Sequence, residues 1–91
     1  MGLTGRYEVP KSVLSRTVGT ETILLNLDTS TYHSLNGVAG RAWGLILEGK
    51  SLADVESVLL AEYAVDSAQL ERDLTELFAE LEKLNLVTPV S

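Results

Sequence analysis

The sequence predicts an α+β domain in which a three-stranded antiparallel sheet is followed by three helices. Three observations support this class. Short β-branched and aliphatic runs occupy the chain before Asn36, apolar residues recur at helical spacing after it, and 91 residues suit one compact core. Residues 1–11 show neither pattern and are expected to be disordered or irregular, so the predicted domain spans residues 12–90.

A β-hairpin is the first predicted element. Val13–Val18 and Thr22–Leu27 have the composition of strands, and a three-residue turn that begins with Gly19 separates them. A polar Asp-Thr-Ser turn follows, after which Thr31–Leu35 returns as a short third strand. In the second strand Ile23, Leu25 and Leu27 share one face and Thr22, Leu24 and Asn26 share the other, which predicts that one of the two faces is the core side.

Two helices of about three turns each come next. Asn36 is a suitable N-cap for a first helix over residues 37–48, where apolar residues recur at helical spacing until a glycine stops the helix. Ser51 begins a capping-box-like start for the second helix, which is expected to end near Tyr63.

The third helix is specified most strongly by the pattern. Asp66 is its predicted N-cap and Asn85 ends it. An apolar stripe runs between them at four- and three-residue steps, formed by Leu70, Leu74, Leu77, Leu81 and Leu84. The residues that follow, up to Pro89, are expected to form a short extended tail.

Charge and composition exclude several functions. The net charge of −6 and the scattered basic residues disfavour nucleic acid and anionic membrane partners. The absence of cysteine excludes a disulfide framework and suits a cytoplasmic protein. His33 is the single histidine, so the sequence offers few residues that could act as the base and the orienting partner that a catalytic nucleophile needs. We therefore expect a non-enzyme with no catalytic residue, no metal and no cofactor.

The third strand is expected at the edge of the predicted sheet. If the first strand pairs with the second and the second with the third, the outer edge of the third strand has no partner in the sheet. An extended peptide can pair with such an edge as an additional strand, with side-chain pockets at alternate positions for specificity.

The order of motifs along the chain resembles that of a known family. LLNLDTSTYHSLNGVAGRAWGLI, SLADV, AEYAVD and LEKLNLV are similar to the PqqD-like RiPP recognition elements, particularly the standalone form of lasso peptide biosynthesis. The resemblance covers residues 12–90. Family members often carry proline after the Leu-Asn dipeptide, where this chain has Gly37.

This resemblance implies a winged helix-turn-helix fold and a non-catalytic function. The third strand and third helix would form a groove for the leader segment of a ribosomally made precursor peptide, which is delivered to a separate leader peptidase and possibly a cyclase. The pairing backbone would come from Thr31, Tyr32, His33 and Ser34, and the facing wall from Leu70, Asp73, Leu74, Leu77 and Phe78.

Other interpretations remain open at this point. Packing in the core is the simpler role for Leu74, Leu77 and Phe78, and solvation alone explains Asp73. A winged-helix protein could also bind DNA through its third helix, although acidic residues dominate that helix. A phosphopantetheine carrier is a third possibility, because Asp66-Ser67 opens a helix in a small acidic chain.

Overall fold

The computed structural model describes residues 5–90. The elements in chain order are β1 (Arg6–Glu8), β2 (Val13–Val18), β3 (Glu21–Asn26), β4 (Thr31–Asn36), α1 (Gly37–Leu47), α2 (Leu52–Glu62), α3 (Ser67–Lys83) and β5 (Thr88–Val90). Strands β2, β3 and β4 form an antiparallel sheet in that order, and β1 pairs with β5 in a separate two-stranded sheet. The predicted α+β class, with a three-stranded sheet before three helices, is confirmed.

The hairpin between β2 and β3 is tighter than the sequence indicates. Val18 pairs with Glu21, so the turn has two residues instead of three. Gly19 adopts a positive φ of 62° there, a conformation that glycine takes without steric cost.

The buried face of β3 is the less apolar of its two faces. Thr22, Leu24 and Asn26 are 8%, 0% and 3% exposed. Asn26 is satisfied in this position because its Nδ2 donates to the carbonyl oxygen of Asn85 at 2.6 Å and its Oδ1 accepts from the amide of Asp28 at 2.9 Å. The Asn26 side chain therefore links the sheet to the end of α3. The aliphatic residues that alternate with these three residues along β3 lie on the opposite face of the sheet.

The prediction of an irregular N-terminus is wrong for Arg6–Glu8, which form β1. Their partner is β5, with Tyr7 opposite Pro89. Tyr7 also stacks on Phe78 of α3, with ring centroids 5.1 Å apart. Both interactions are remote in sequence, so local periodicity could not reveal them; residues 1–4 lie outside the described part of the chain.

The helix caps agree with the predicted ones in two of three cases. Ser51 Oγ accepts from the amide of Asp54, and Asp66 Oδ2 accepts from the amide of Gln69. Asn36 holds the N-cap position of α1, but its side chain makes no capping hydrogen bond.

Helices α1 and α2 are tied together by a bidentate ion pair. Arg41 Nε and Nη2 each donate to a carboxylate oxygen of Glu62 at 2.9 Å. These hydrogen bonds hold the pKa of the Glu62 carboxyl below its usual value. In the same helix, Gly40 allows a close approach to β3, because a Cβ there would lie 3.0 Å from Thr22 Oγ1.

One apolar core lies between the helices and the buried face of the three-stranded sheet. Trp43, Phe78 and Leu24 are among its largest fully buried side chains. Leu86 and Val87, in the segment expected to be a simple extended tail, are 0% and 2% exposed and belong to this core. None of the helices in residues 5–90 is long and apolar enough to cross a membrane.

Candidate functional site

A pocket of about 300 Å³ lies where β4 passes into α1 and the N-terminal half of α3 faces that junction. Its volume is at the lower end of the range for ligand sites, which suits one or two large side chains. Three segments contribute: the start of α1, the linker before α3, and one face of α3. The lining residues are Asn36, Gly37, Val38, Ala39, Val65, Gln69, Leu70, Asp73, Leu74 and Leu77.

Strand β4 has a free edge beside this pocket. It is the last strand of its sheet, and within residues 5–90 nothing pairs with its outer side. Thr31–Asn36 contains no Asp, Glu, Lys or Arg, the charged residues that often protect edges from pairing. The opposite edge strand, β2, carries Arg16 and contributes no residue to the pocket.

The two faces of β4 meet different surroundings. The register places Thr31, His33 and Leu35 on the buried side of the sheet, opposite Asn26, Leu24 and Thr22. Leu35 is 4% exposed, while Thr31 and His33 are half-buried. Tyr32 and Ser34 lie on the outer face and are exposed. A strand added at this edge would therefore continue both faces.

Four of the predicted wall residues line the pocket. Leu70 and Leu74 are 3% and 2% exposed and form its apolar floor, while Leu77 is half-buried and Asp73 is exposed at the rim. The alternative role in the core also holds for Leu70 and Leu74, because both residues belong to the core cluster. They serve as core and as pocket floor at once.

Phe78 does not line the pocket, contrary to the sequence-based assignment. The residue is 1% exposed and its ring stacks on Tyr7 from β1. One helical position separates it from Leu77, a rotation of about 100° around the axis. This rotation directs Phe78 into the core, towards the side of α3 that β1 covers.

Sequence reasoning missed the contribution of α1 and of the linker. Val38 and Ala39 in the first turn of α1, together with Val65, complete the apolar lining. A signal existed in the immediate passage from β4 into α1, which places the first helical turn next to the strand edge. The first N–H groups of a helix lack intrahelical partners, and the Asn36 side chain does not cap those of α1.

The rim on α3 is a short hydrogen-bonded series of polar side chains. Gln69 Nε2 donates to Asp73 Oδ1 at 2.8 Å, and Arg72 Nη2 donates to Gln69 Oε1 at 3.0 Å. All three side chains are exposed. The site thus has an apolar floor, a polar rim and a main-chain edge, which are the elements of a peptide groove.

No metal-ligand cluster accompanies the groove. Among residues 5–90, no group of three or more His, Cys, Asp and Glu side chains is arranged to hold a metal ion. The fold and the groove define a small α+β domain of winged-helix type whose open strand edge and adjoining helix suit an extended peptide.

The comparisons with known proteins place the chain in a family. Residues 21–87 match the family described as coenzyme PQQ synthesis protein D (PqqD), and the chain belongs to that family. This match confirms the resemblance to PqqD-like proteins that the sequence motifs indicate. No curated protein matches the chain.

Two solved structures are similar over almost the whole chain. One is TbiB1 in complex with the TbiA(beta) leader peptide, at 33% identity and a TM-score of 0.86, covering 92% of this chain and 98% of that chain. The other is a lasso peptide synthetase B1 complexed with the leader peptide, at 26% identity and a TM-score of 0.82, covering 92% and 99%.

Proposed function

We propose that this protein binds the leader segment of a ribosomally made precursor peptide by strand addition to β4 and by packing of leader side chains on α3. The observation that supports this most directly is the edge of β4, which is unpaired within residues 5–90, carries no charged side chain and lies beside an apolar pocket. Both similar structures are complexes with a leader peptide, and their folds cover nearly all of this chain.

Main-chain pairing alone is too weak to hold the peptide. About five ladder hydrogen bonds, at roughly 1 kcal/mol net each, oppose an association cost of about 4–15 kcal/mol. Each apolar leader side chain that is buried in the pocket adds about 1.5–3 kcal/mol. Leader side chains in the pocket therefore determine affinity, and the ladder fixes the direction and register of the peptide.

The pairing backbone is that of Thr31, Tyr32, His33 and Ser34. The facing wall is formed by the floor leucines Leu70 and Leu74, by Leu77 and by Asp73 at the rim. We add Val38, Ala39 and Val65 to this set because they complete the same apolar lining. Phe78 is left out because it is buried against Tyr7.

The proposed contribution to biosynthesis is non-catalytic. Among the described residues that line it, the groove holds no arrangement of nucleophile, base and orienting group, and its chemistry is that of apolar contact and main-chain hydrogen bonding. A tethered leader would raise the effective concentration of the core peptide for a separate leader peptidase and possibly a cyclase.

Titration of a fluorescent leader peptide tests the proposal. The leader of the cognate precursor and the TbiA(beta) leader are the probes, and a scrambled cognate leader is the control. We expect saturable one-to-one binding of the cognate leader and none of the scrambled peptide. Equal binding of both peptides, or no saturation with the cognate one, would refute the function.

A further inference from the structure

The outer face of the three-stranded sheet carries an apolar row that ends at the β4 edge. The register pairs Leu14 with Leu25 across β2 and β3, and Leu25 with Tyr32 across β3 and β4. These three side chains therefore form one line across the sheet, on the face opposite the core. Leu14 is 53% exposed and Tyr32 is 65% exposed, while Leu25 is half-buried.

Tyr32 is the member of this row that an added strand would meet. A peptide paired with β4 places one of its side chains directly opposite Tyr32, with Cβ atoms about 4.5–5.5 Å apart. That side chain lies on the same face of the sheet as Tyr32 and therefore points away from the pocket, because directly paired residues share a face. The peptide residues on either side of it point towards the pocket and α3.

We propose that Tyr32 is a specificity-determining residue which selects an apolar or aromatic leader side chain on the outer face of the sheet. The proposal rests on the proposed function and adds a second recognition surface to it. It implies that the bound leader segment is apolar at consecutive positions, one facing the pocket and the next facing Tyr32. A groove that recognised the peptide from one side alone would require apolar residues at alternate positions only.

The chemistry of the row favours such a partner. Aromatic side chains pair well across strands with aliphatic and aromatic neighbours, and the phenol ring offers a broad apolar surface. Within residues 5–90, the residue directly opposite Tyr32 is Leu25 on one side, and its other side is the open edge. An acidic leader residue at this position would lose solvation beside the ring without gaining an ion pair.

Leader titrations with variants of the row test the proposal. Tyr32→Ser is expected to weaken leader binding about three- to fivefold, in keeping with one cross-strand pair, while Tyr32→Phe stays within twofold of wild type. Leu14→Ser is the matched control, since it removes another exposed member of the same row two strands away, and it is expected to leave the affinity unchanged. Affinity of Tyr32→Ser within twofold of wild type would overturn the proposal.

An alanine scan of the leader on the wild-type protein provides a second measurement that does not depend on any protein variant. We expect losses at adjacent positions, and one of these losses should disappear when the same peptide is titrated into Tyr32→Ser. Losses confined to alternate positions would overturn the proposal and leave the proposed function intact. Failure of the unmodified leader to bind the wild-type protein would instead refute the proposed function itself.

Discussion

Replacing Leu77 by aspartate is expected to weaken leader binding strongly. Leu77 lines the pocket and is half-buried without a peptide, so the leader can cover only the remaining part of its surface. Full burial of a leucine stabilises by about 1.5–3 kcal/mol, and the uncovered part accounts for roughly 0.5–1 kcal/mol of this. An unpaired carboxylate that loses water on binding adds about 1–3 kcal/mol of cost.

These contributions give a total of about 1.5–4 kcal/mol, which corresponds to a rise in Kd between about 10-fold and 800-fold. Asp73 lies one turn earlier on the same rim, so the second carboxylate also experiences like-charge repulsion. Fluorescence anisotropy with a labelled leader measures Kd directly, and circular dichroism with urea unfolding verifies that the variant is folded under the assay conditions.

Leu84→Asp is the matched control for this prediction. Leu84 is also a half-buried leucine at the C-terminal end of α3, but it does not line the pocket. We expect Leu84→Asp to reduce the free energy of unfolding while the folded protein keeps its leader affinity. Equal Kd values for folded Leu77→Asp and wild type would show that the peptide does not use this wall of α3.

Three further outcomes test the edge, the packing of α1 and the N-terminal strand. The amides of adjacent strand residues point to opposite edges of the strand, and proline has no amide N–H. Of His33→Pro and Ser34→Pro, one should therefore weaken leader binding by removing a donor from the free edge, and the other should destabilise the sheet by removing a donor to β3. Leader titration and urea unfolding of both variants measure these two effects. Gly40→Ala is expected to be less stable than Gly44→Ala by about 1–3 kcal/mol in chemical denaturation. A Cβ at position 40 would lie 3.0 Å from Thr22 Oγ1, so the buried threonine would have to shift, whereas a Cβ at position 44 would meet no atom outside its own helix within 4 Å. Burial and, to a smaller extent, the nearby Glu82 carboxylate raise the pKa of Tyr7 above its usual 10.0. The contribution of the protonated Tyr7 side chain to stability is therefore fully present below about pH 10 and is lost as the pH rises through the folded-state pKa. Tyr7→Phe should remove this part of the pH dependence of the free energy of unfolding.

The parts of the fold that the sequence predicted are those encoded locally. The strand Val13–Val18 and the strand predicted at Thr31–Leu35, which the structure extends to Asn36, follow β-rich runs. Helix α3 follows its leucine period and the Asp66 cap, so neighbouring residues suffice to specify these elements. β1 depends on β5 and on Phe78, which are distant in sequence. No local pattern could identify it.

The candidate site divides in the same way. The leucine period indicates which side of α3 is apolar, and it therefore selected Leu70, Leu74 and Leu77. It could not separate Leu77 from its neighbour Phe78, because that distinction depends on which side of the helix β1 covers. Val38 was missed because its contribution depends on the relative placement of α1 and α3, which a one-dimensional pattern does not contain.

The small sheet of β1 and β5 joins segments from opposite ends of the described chain. During synthesis, Arg6–Glu8 leaves the ribosome long before Thr88–Val90 has been made. Before β5 is made, Tyr7 can contact Phe78, but the main-chain pairing that fixes β1 in place cannot form. The last step of folding is therefore expected to follow translation of β5. Only then is the packing of β1 against the Phe78 side of α3 complete.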